Sequence, residues 1–341
     1  MFRKLTGIAA LAACLSVTQA HAQEVVLTIH HFLGPKAPPH TKFIEPWAKA
    51  VEQDSNGRIK IEIFPAMAMG GKPGELYGQV RDGLADIVWT LGGYTPGVFP
   101  RAEVFELPSI HQGSALGTTQ AIQDDFALIA EDFKDVHPLL VHVHAGNLLH
   151  MRDKRVTSPA DLSGLKLRTP TRTGAWMIES WGAEPVGMPV PDVPQALSKN
   201  VIDGVLVPFE IVPALKLQEL TAYSILGEDG SRFGTSVFLF LMNKERYEEL
   251  PDDLKAVIDA HSGAAIAAMA GTLWDEIEEP GKKMQLDSGG EIVGIDAAAK
   301  AKFDDLSQSV EQRWIAEMQD QDIDGAALVE AAKAGVAKHS Q

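Results

Sequence analysis

The 341-residue chain is long enough for two domains of about 150 residues each, and its composition of 45% hydrophobic and 22% charged residues is typical of globular proteins. Its 46 acidic residues outnumber the 30 basic ones, and the resulting net charge of −16 argues against binding nucleic acid or anionic lipid. A single cysteine excludes both a disulfide framework and a zinc site built from cysteines.

The first 22 residues have the pattern of an export signal. Arg3 and Lys4 precede an apolar stretch over 5–17, and small residues at the expected cleavage site end at Ala22. The thirteen apolar residues are fewer than the about 20 that a membrane-spanning helix needs. We therefore expect cleavage after Ala22 and a periplasmic mature chain that does not insert into the membrane. A lipoprotein signal ending at Cys14 is the alternative.

After this signal, strand patterns alternate with helical ones. Ile59, Ile61 and Ile63 alternate with Lys60 and Glu62, which is the period of a half-buried strand. The alternation of strands and helices predicts α/β domains with largely parallel sheets. Further strands are predicted at 25–32, 87–91, 139–144, 165–168 and 205–207, and helices at 41–54 and 115–133.

The longest predicted helix runs from Pro251 to about Gln285. Proline suits a helix start, and Asp252 and Asp253 place negative charge in the first turn, where the helix dipole favours it. About 30 residues of helix extend about 45 Å, which is enough to cross two small domains. Pro280 is expected to kink this helix or to end it early.

The sequence contains no motif of an enzyme or a cofactor site. The segment 69–73 resembles a phosphate loop, but Ala66 and Pro73 stand where glycine and serine or threonine are needed. His142 and His144 are two apart on a predicted strand and could share a metal, yet no third ligand follows at a useful spacing. We therefore expect no metal, no cofactor and no catalysis, with an exported enzyme for small acids as the less favoured alternative.

Arg168 stands at the end of a predicted strand, at 165–168. Ligands of α/β sheets bind beyond the carboxyl ends of the strands, and a guanidinium there can grip a carboxylate with two hydrogen bonds. Taken alone, the residue is equally compatible with a surface arginine or a structural ion pair.

Several segments follow one another in the order found in a known family. They include the run 158–168, the segment 182–189, the run 193–204 and shorter stretches such as 83–86. Together they resemble the solute-binding proteins of tripartite ATP-independent periplasmic (TRAP) transporters, the DctP-like family. The resemblance implies that Arg168 pairs with the carboxylate of a small-molecule ligand, and that the partners are the membrane permease subunits.

The same resemblance implies an α/β, two-lobed periplasmic binding protein fold with a long helix bridging both domains and the ligand cleft between the lobes. We expect the N-terminal lobe to comprise 23–145 and about 234–272. The C-terminal lobe would then comprise 146–233 and about 273–341.

Two departures from the family pattern indicate an apolar ligand. Val207 stands where many members carry an asparagine that contacts the carboxylate, and Leu148 stands where sialic-acid-binding members carry a second arginine. A second carboxylate or a sugar hydroxyl would lack a polar partner there, so we expect an aromatic or otherwise apolar monocarboxylate. If Arg172 or Arg152 supplied a second cation, the ligand would instead be a C4-dicarboxylate or sugar acid. A keto or hydroxy acid is the remaining alternative.

Aromatic residues lie near the ends of the predicted strands, where a flat ligand would stack on them. Such a pair contributes about 0.5–1.5 kcal/mol beyond the buried area. We favour Trp89 and Phe209 for this role, although packing in the core is an equal alternative for each ring. Met188 would add adaptable packing, and His31 could donate a hydrogen bond if it faces the cleft. Phe32 and Tyr94 complete the predicted set.

Overall fold

A computed structural model describes residues 24–340. The export signal, its cleavage after Ala22 and the alternative at Cys14 lie outside the described residues. Two sheets organise the described chain, one in each lobe, and this confirms the predicted two-lobed α/β fold. The strands are β1 (Val25–His31), β2 (Ile59–Phe64), β3 (Ile87–Leu91), β4 (Val136–Val143), β5 (Leu148–Met151), β6 (Lys166–Thr169), β7 (Glu184–Gly187), β8 (Gly204–Val207), β9 (Tyr223–Gly227), β10 (Val237–Asn243) and β11 (Glu291–Ile295).

The helices cover the faces of these sheets, as the alternation of strand and helix patterns requires. Shorter helical turns at Gly92–Tyr94, Ala102–Glu106 and Phe209–Ile211 connect the elements near the junction of the lobes. The α-helices are α1 (Glu45–Asp54), α2 (Leu76–Arg81), α3 (Ala115–Asp124), α4 (Phe126–Ile129), α5 (Arg172–Ser180), α6 (Val193–Ser198), α7 (Val212–Leu215), α8 (Lys244–Glu248), α9 (Asp252–Ala260), α10 (Ala264–Glu276), α11 (Glu278–Asp287), α12 (Ala297–Gln319) and α13 (Gly325–His339).

The N-terminal sheet has the strand order β2-β1-β3-β10-β4, and the C-terminal sheet has the order β11-β9-β5-β8-β6-β7. All six strands predicted from the sequence are present, with ends that differ by up to three residues. The expectation of largely parallel sheets needs correction, because β10 is antiparallel to β3 and β4, and β5 is antiparallel to β8 and β9. These two strands are antiparallel because the chain crosses between the lobes next to them.

Two of the crossings between the lobes lie side by side. The chain leaves the N-terminal sheet after β4, enters the C-terminal sheet at β5, and returns from β9 to β10. The Asn147 N–H donates to the Gly234 carbonyl (2.8 Å) and the Phe233 N–H donates to the Asn147 carbonyl (2.9 Å). Gly146 has a φ of +101°, and a Cβ there would lie 2.6 Å from Arg232. The lobes are therefore joined by a tight pair of segments, within which the boundaries proposed at 145/146 and 233/234 lie.

The predicted long helix is three helices, α9, α10 and α11. The first ends at Ala260, Gly263 precedes the second with a φ of +54°, and Ile277 separates the second from the third. The break at Ile277 lies three residues before Pro280, whose missing N–H cannot bond the Glu276 carbonyl, so the helix is interrupted there as expected. The segment still bridges both lobes, since α10 packs on α3 and α11 packs on α7.

The stretch Asp252–Asp287 is the one helical stretch within residues 24–340 that is long and apolar enough to cross a membrane, by length and composition alone. In the folded chain it is broken twice, and it packs Ala270 and Trp274 in the protein core.

The C-terminal helix corrects the predicted lobe boundaries. Helix α12 begins on the C-terminal lobe, where Ser307 accepts a hydrogen bond from Trp181 (3.0 Å), and it carries the chain back towards the other lobe. Helix α13 then packs on α3, with Lys338 paired to Asp124 (2.6 Å) and Gly335 close to Ala121. Residues 325–339 therefore belong with the N-terminal lobe, although the sequence placed them with the C-terminal one.

Candidate ligand-binding site

A cavity lies where the two lobes meet. The space free of protein atoms there is about 370 Å³, part of it open to solvent, and both sheets contribute to its walls. Most of the side chains that line it are apolar or aromatic, and Arg168 is the one lysine or arginine among the described residues that do so. The lining residues are Phe32, Leu33, Trp89, Leu91, His144, Asn147, Arg168, Pro170, Val190, Leu206, Val207, Pro208, Glu210, Ile211, Ser236 and Phe238.

Arg168 is held rigidly at the C-terminal part of β6. This strand lies between β7 and β8, with Arg168 opposite Val186 on one side and Val205 on the other. The side chain is 1% exposed, and its Nε donates to the Met188 carbonyl (2.9 Å). Burial lowers the pKa of Arg168, and the neighbouring Tyr94 hydroxyl partly offsets this effect.

The charge of Arg168 has no acidic partner within salt-bridge distance in the part of the chain that the structure describes, and its Nη2 makes no hydrogen bond there. A surface arginine and a structural ion pair, the two alternatives left open by the sequence, therefore do not describe it. A buried cation is costly unless an anion pairs with it. A guanidinium in this position could hold a carboxylate.

Tyr94 and Met188 support the arginine instead of lining the cavity. The Val190 N–H donates to the Tyr94 hydroxyl (2.8 Å), which joins the C-terminal lobe to the N-terminal one beside the guanidinium. Burial raises the pKa of Tyr94, so its hydroxyl stays protonated at neutral pH. Met188 contacts the site through its backbone carbonyl, which accepts a hydrogen bond from Arg168. The sequence predicted a packing contact of its side chain instead.

An aromatic wall faces Arg168 from the N-terminal lobe. Trp89 lies within β3, not beyond its end, and stacks with Phe32 (centroids 5.2 Å apart) and with Phe238 (4.7 Å). Its Nε1 donates to His142 Nε2 (3.1 Å). Because neighbouring rings take up these stacking contacts, Trp89 forms part of a rigid apolar wall. Phe238 was missed, although the unbroken apolar run 237–242 is a sequence signal for a buried strand.

Three other predicted residues lie outside the cavity. Phe209 packs behind it, edge-on to His150 (5.4 Å) and 5.7 Å from the Arg232 guanidinium. Leu148 is paired with Val207 across β5 and β8, but only Val207 of these two lines the cavity. His31 is hydrogen-bonded to His40 (2.8 Å), and burial lowers its pKa to about 3.

Arg172 is not a second cation for the ligand. It lies in the first turn of α5, whose N-cap Thr171 accepts a hydrogen bond from Gly174 (3.0 Å). Its Nε donates to Glu103 of the N-terminal lobe (2.8 Å), and its Nη1 pairs with Glu317. Arg172 therefore fastens the two lobes together outside the cavity. Arg152, the other candidate, pairs with Asp153 on the surface (2.6 Å).

Four polar residues of the cavity were not predicted: His144, Asn147, Glu210 and Ser236. The Gly146 N–H donates to His144 Nδ1 (3.0 Å), so in the neutral ring the proton lies on Nε2. Burial lowers the pKa of His144 well below its usual value, which keeps the ring neutral. Three of the four lie at or beside the crossings between the lobes, a position that a sequence read element by element does not reveal.

Glu210 is the one acidic side chain among the described residues that line the cavity. It is 3% exposed, and its backbone N–H donates to Glu278 Oε1 (2.8 Å). Burial raises the pKa of Glu210 to about 8, and the Glu278 carboxylate adds to the effect. Glu278 itself pairs with Arg232 (3.1 Å).

The histidines do not form a metal site. Within residues 24–340, no group of three or more histidine, cysteine, aspartate or glutamate side chains is arranged to hold an ion. His142 accepts a hydrogen bond from Trp89, and His144 binds the Gly146 backbone, so each has a structural partner.

Comparison with known proteins identifies the family. The sequence model of the bacterial extracellular solute-binding proteins, family 7 (DctP), matches residues 29–318. A TRAP solute-binding protein from a marine metagenome, specific for aromatic acid ligands and crystallised with 3-hydroxybenzoate, is 47% identical. The match covers 94% of this chain and all of that one, with a TM-score of 0.91.

Two further relatives differ in their ligands. A TRAP solute-binding protein from Rhodoferax ferrireducens T118, crystallised with copurified benzoate, is 38% identical over 92% of this chain and 98% of its own, with a TM-score of 0.90. The C4-dicarboxylate-binding periplasmic protein DctP of Rhodobacter capsulatus is 24% identical over 98% and 97% of the two chains. These matches confirm the resemblance to TRAP solute-binding proteins, and the chain therefore belongs to the bacterial extracellular solute-binding proteins of family 7.

Proposed function

We propose that this solute-binding protein captures an aromatic or otherwise apolar monocarboxylate in the periplasm and delivers it to the membrane subunits of a TRAP transporter. The observation that carries the proposal is Arg168, a buried guanidinium without an acidic partner among the described residues, in a cavity with apolar and aromatic walls. One carboxylate satisfies this cation. The rest of such a ligand would gain about 25 cal/mol for each Å² of apolar surface that it buries.

The relatives support the same ligand class. The two proteins at 47% and 38% identity were crystallised with 3-hydroxybenzoate and with benzoate. Both ligands combine one carboxylate with one aromatic ring, which matches one cation facing the wall of Phe32, Trp89 and Phe238.

A C4-dicarboxylate is the main competing ligand, since the Rhodobacter capsulatus relative binds this class. Its second carboxylate would need a second cation, but Arg172 and Arg152 are both paired elsewhere. Val207 offers only methyl groups, and Glu210 offers a carboxyl. A desolvated second carboxylate would therefore have no cationic partner, which costs several kcal/mol.

Competition calorimetry with benzoate and succinate tests the ligand class. The purified protein should bind benzoate, with a raised melting temperature because the ligand binds only the folded state. Succinate at a hundredfold excess should not displace benzoate. A clear preference for succinate would show that the apolar-cavity argument is wrong.

The site of maturation needs its own experiment, because the export signal lies outside the described residues. We propose cleavage after Ala22 and a free periplasmic protein. Mass spectrometry of the protein purified from the periplasm should find Gln23 as the first residue. A lipid-modified Cys14 at the N-terminus would instead establish the lipoprotein alternative.

A further inference from the structure

We propose that Glu210 recognises a ring hydroxyl, so that the preferred ligands are hydroxylated aromatic acids with the carboxylate on Arg168 and the hydroxyl on the Glu210 carboxyl group. This inference rests on the proposed function, and it makes Glu210 the residue that decides between an aromatic acid and its hydroxylated form.

The geometry around Glu210 leaves its carboxyl group without a partner. The residue follows β8 in the turn Phe209–Ile211, and this turn places it in the cavity wall beyond Val207 and Pro208. Its backbone N–H is satisfied by Glu278, but its Oε2 has no hydrogen bond among residues 24–340. A buried polar atom without a partner costs about 1–3 kcal/mol, which a suitable ligand group would recover.

Glu106 provides the contrast. It is also buried, and burial with the nearby Glu103 raises its pKa to about 8. Its Oε1, however, accepts a hydrogen bond from the Val237 N–H (2.9 Å), and the residue does not line the cavity. A structural role therefore accounts for Glu106. The structure offers no such role for the Glu210 carboxyl group.

The electrostatics of the site favour the neutral form of Glu210. Burial and the Glu278 carboxylate raise the pKa of Glu210. The other charged or titratable groups near Glu210 are Arg232, which pairs with Glu278, and the neutral His144. With a pKa of about 8, Glu210 is mostly a neutral acid at pH 7 and does not repel a carboxylate ligand.

A hydroxyl fits this acid better than other groups. A carboxylic acid both donates and accepts a hydrogen bond, as does a phenolic hydroxyl, so one such group satisfies the other. An ammonium group is best paired with an ionised carboxylate, whereas the Glu210 carboxyl group, with a pKa of about 8, is mostly neutral at pH 7. His144, Asn147 and Ser236 line the same cavity and can orient the hydroxyl further.

The test measures the affinity of the full-length mature protein for benzoate and for 2-, 3- and 4-hydroxybenzoate by calorimetry at pH 7. In the unmodified protein, the best hydroxybenzoate should bind about tenfold more tightly than benzoate, the effect of one buried hydrogen bond. In Glu210→Leu this ratio should fall to about one or below. The matched control Glu106→Gln should keep the ratio of the unmodified protein. A ratio that survives in Glu210→Leu would overturn the inference.

A second variant keeps the test decisive if Glu210→Leu does not fold. Glu210→Gln has the same shape and can still bond a hydroxyl, but it cannot ionise. In the unmodified protein the affinity ratio should change between pH 6.5 and pH 8.5 as Glu210 loses its proton, and in Glu210→Gln this change should disappear. An unchanged pH dependence in Glu210→Gln would overturn the inference.

The two proposals fail differently. Tight binding of benzoate with no preference for any hydroxybenzoate refutes the role of Glu210 and leaves the proposed function intact. Absence of binding to benzoate and to all three hydroxybenzoates refutes the proposed function itself.

Discussion

Replacing Arg168 should abolish tight ligand binding and leave the fold intact. The guanidinium is 1% exposed, its Nε is committed to the Met188 carbonyl, and its Nη2 has no partner in the described chain. A ligand carboxylate buried against it would lose its counter-charge in Arg168→Ala. Removing one member of a buried ion pair costs about 3–5 kcal/mol, which corresponds to about two to four decades in Kd.

The effect on stability should be small by comparison, because the free protein already carries the cost of a buried cation without an anion. In Arg168→Ala, loss of the hydrogen bond to Met188 lowers the free energy of unfolding, and removal of the buried charge raises it. Arg168→Ala should therefore melt within a few degrees of the unmodified protein in the absence of ligand. The rise in melting temperature with benzoate should vanish.

Arg168→Lys separates charge from geometry. An ammonium keeps the positive charge but loses both the planar fork and the hydrogen bond that fixes it to Met188. We expect a loss in affinity of about 10- to 100-fold, between those of the unmodified protein and Arg168→Ala. Arg152→Ala, which removes a surface arginine paired with Asp153, is the control and should bind normally.

Calorimetry with benzoate measures these affinities, and circular dichroism verifies that each variant is folded. The reasoning would be refuted if folded Arg168→Ala bound benzoate within threefold of the unmodified protein. In that case the carboxylate would have to be held by another part of the cavity.

Three further predictions concern closure, the crossing segments and pH. Small-angle scattering should show the protein becoming more compact with benzoate, and identical scattering curves with and without ligand would indicate a rigid cleft. Arg172→Ala removes the ion pair with Glu103 between the lobes and should weaken benzoate binding several-fold. Gly146→Ala should destabilise the fold by about 1–3 kcal/mol in urea unfolding, because of its φ of +101° and its close neighbours, whereas Gly78→Ala, with open space around it, should not. Between pH 7 and 8 the free energy of unfolding should fall, because Glu106 has a pKa of about 8 in the folded protein and loses its proton on unfolding. Glu106→Gln should make this decline shallower. An equal decline in that variant would contradict the assignment to Glu106.

The sign of this pH dependence follows from the raised pKa of the buried acids. A carboxyl group with a folded pKa of about 8 and an unfolded pKa near 4.5 stabilises the fold fully below pH 4.5. This contribution is lost as the pH rises from 4.5 to 8. The buried His142, with a pKa lowered to about 3, lowers the free energy of unfolding as the pH falls below 6.5. Measurements between pH 7 and 8 therefore report on the buried acids and not on this histidine.

The elements that the sequence predicted are those whose patterns are local. The alternation of apolar and polar residues at 59–63 was sufficient to predict β2, and the continuous apolar run at 87–91 was sufficient to predict β3. Burial of one face of a strand produces the first pattern and burial of both faces produces the second, and each is visible within a few residues. The predicted long helix was too continuous, because a single Gly263 with positive φ and a break at Ile277 do not disturb the apolar periodicity around them. Strands β5 and β10 were not predicted, and their antiparallel direction depends on where the chain crosses between the lobes.

For the site, the sequence predicted Arg168 from its place at a strand end together with the family resemblance, and the structure places this residue in the cavity wall. It also indicated an apolar environment through Val207, Phe32 and Trp89, which line the cavity. Only the tertiary structure decided that Phe209, Leu148 and His31 lie outside it, and that Arg172 binds Glu103 instead of a ligand.

The polar lining depended on tertiary structure for the same physical reason. Glu210 follows β8, and His144 and Ser236 flank the crossings, so residues 92 positions apart in the chain meet only when both lobes are folded together. Local patterns record whether a side chain is buried, because burial repeats with the period of its own helix or strand. They do not record which distant side chain it faces, and it is this pairing across the lobes that forms the cavity around Arg168.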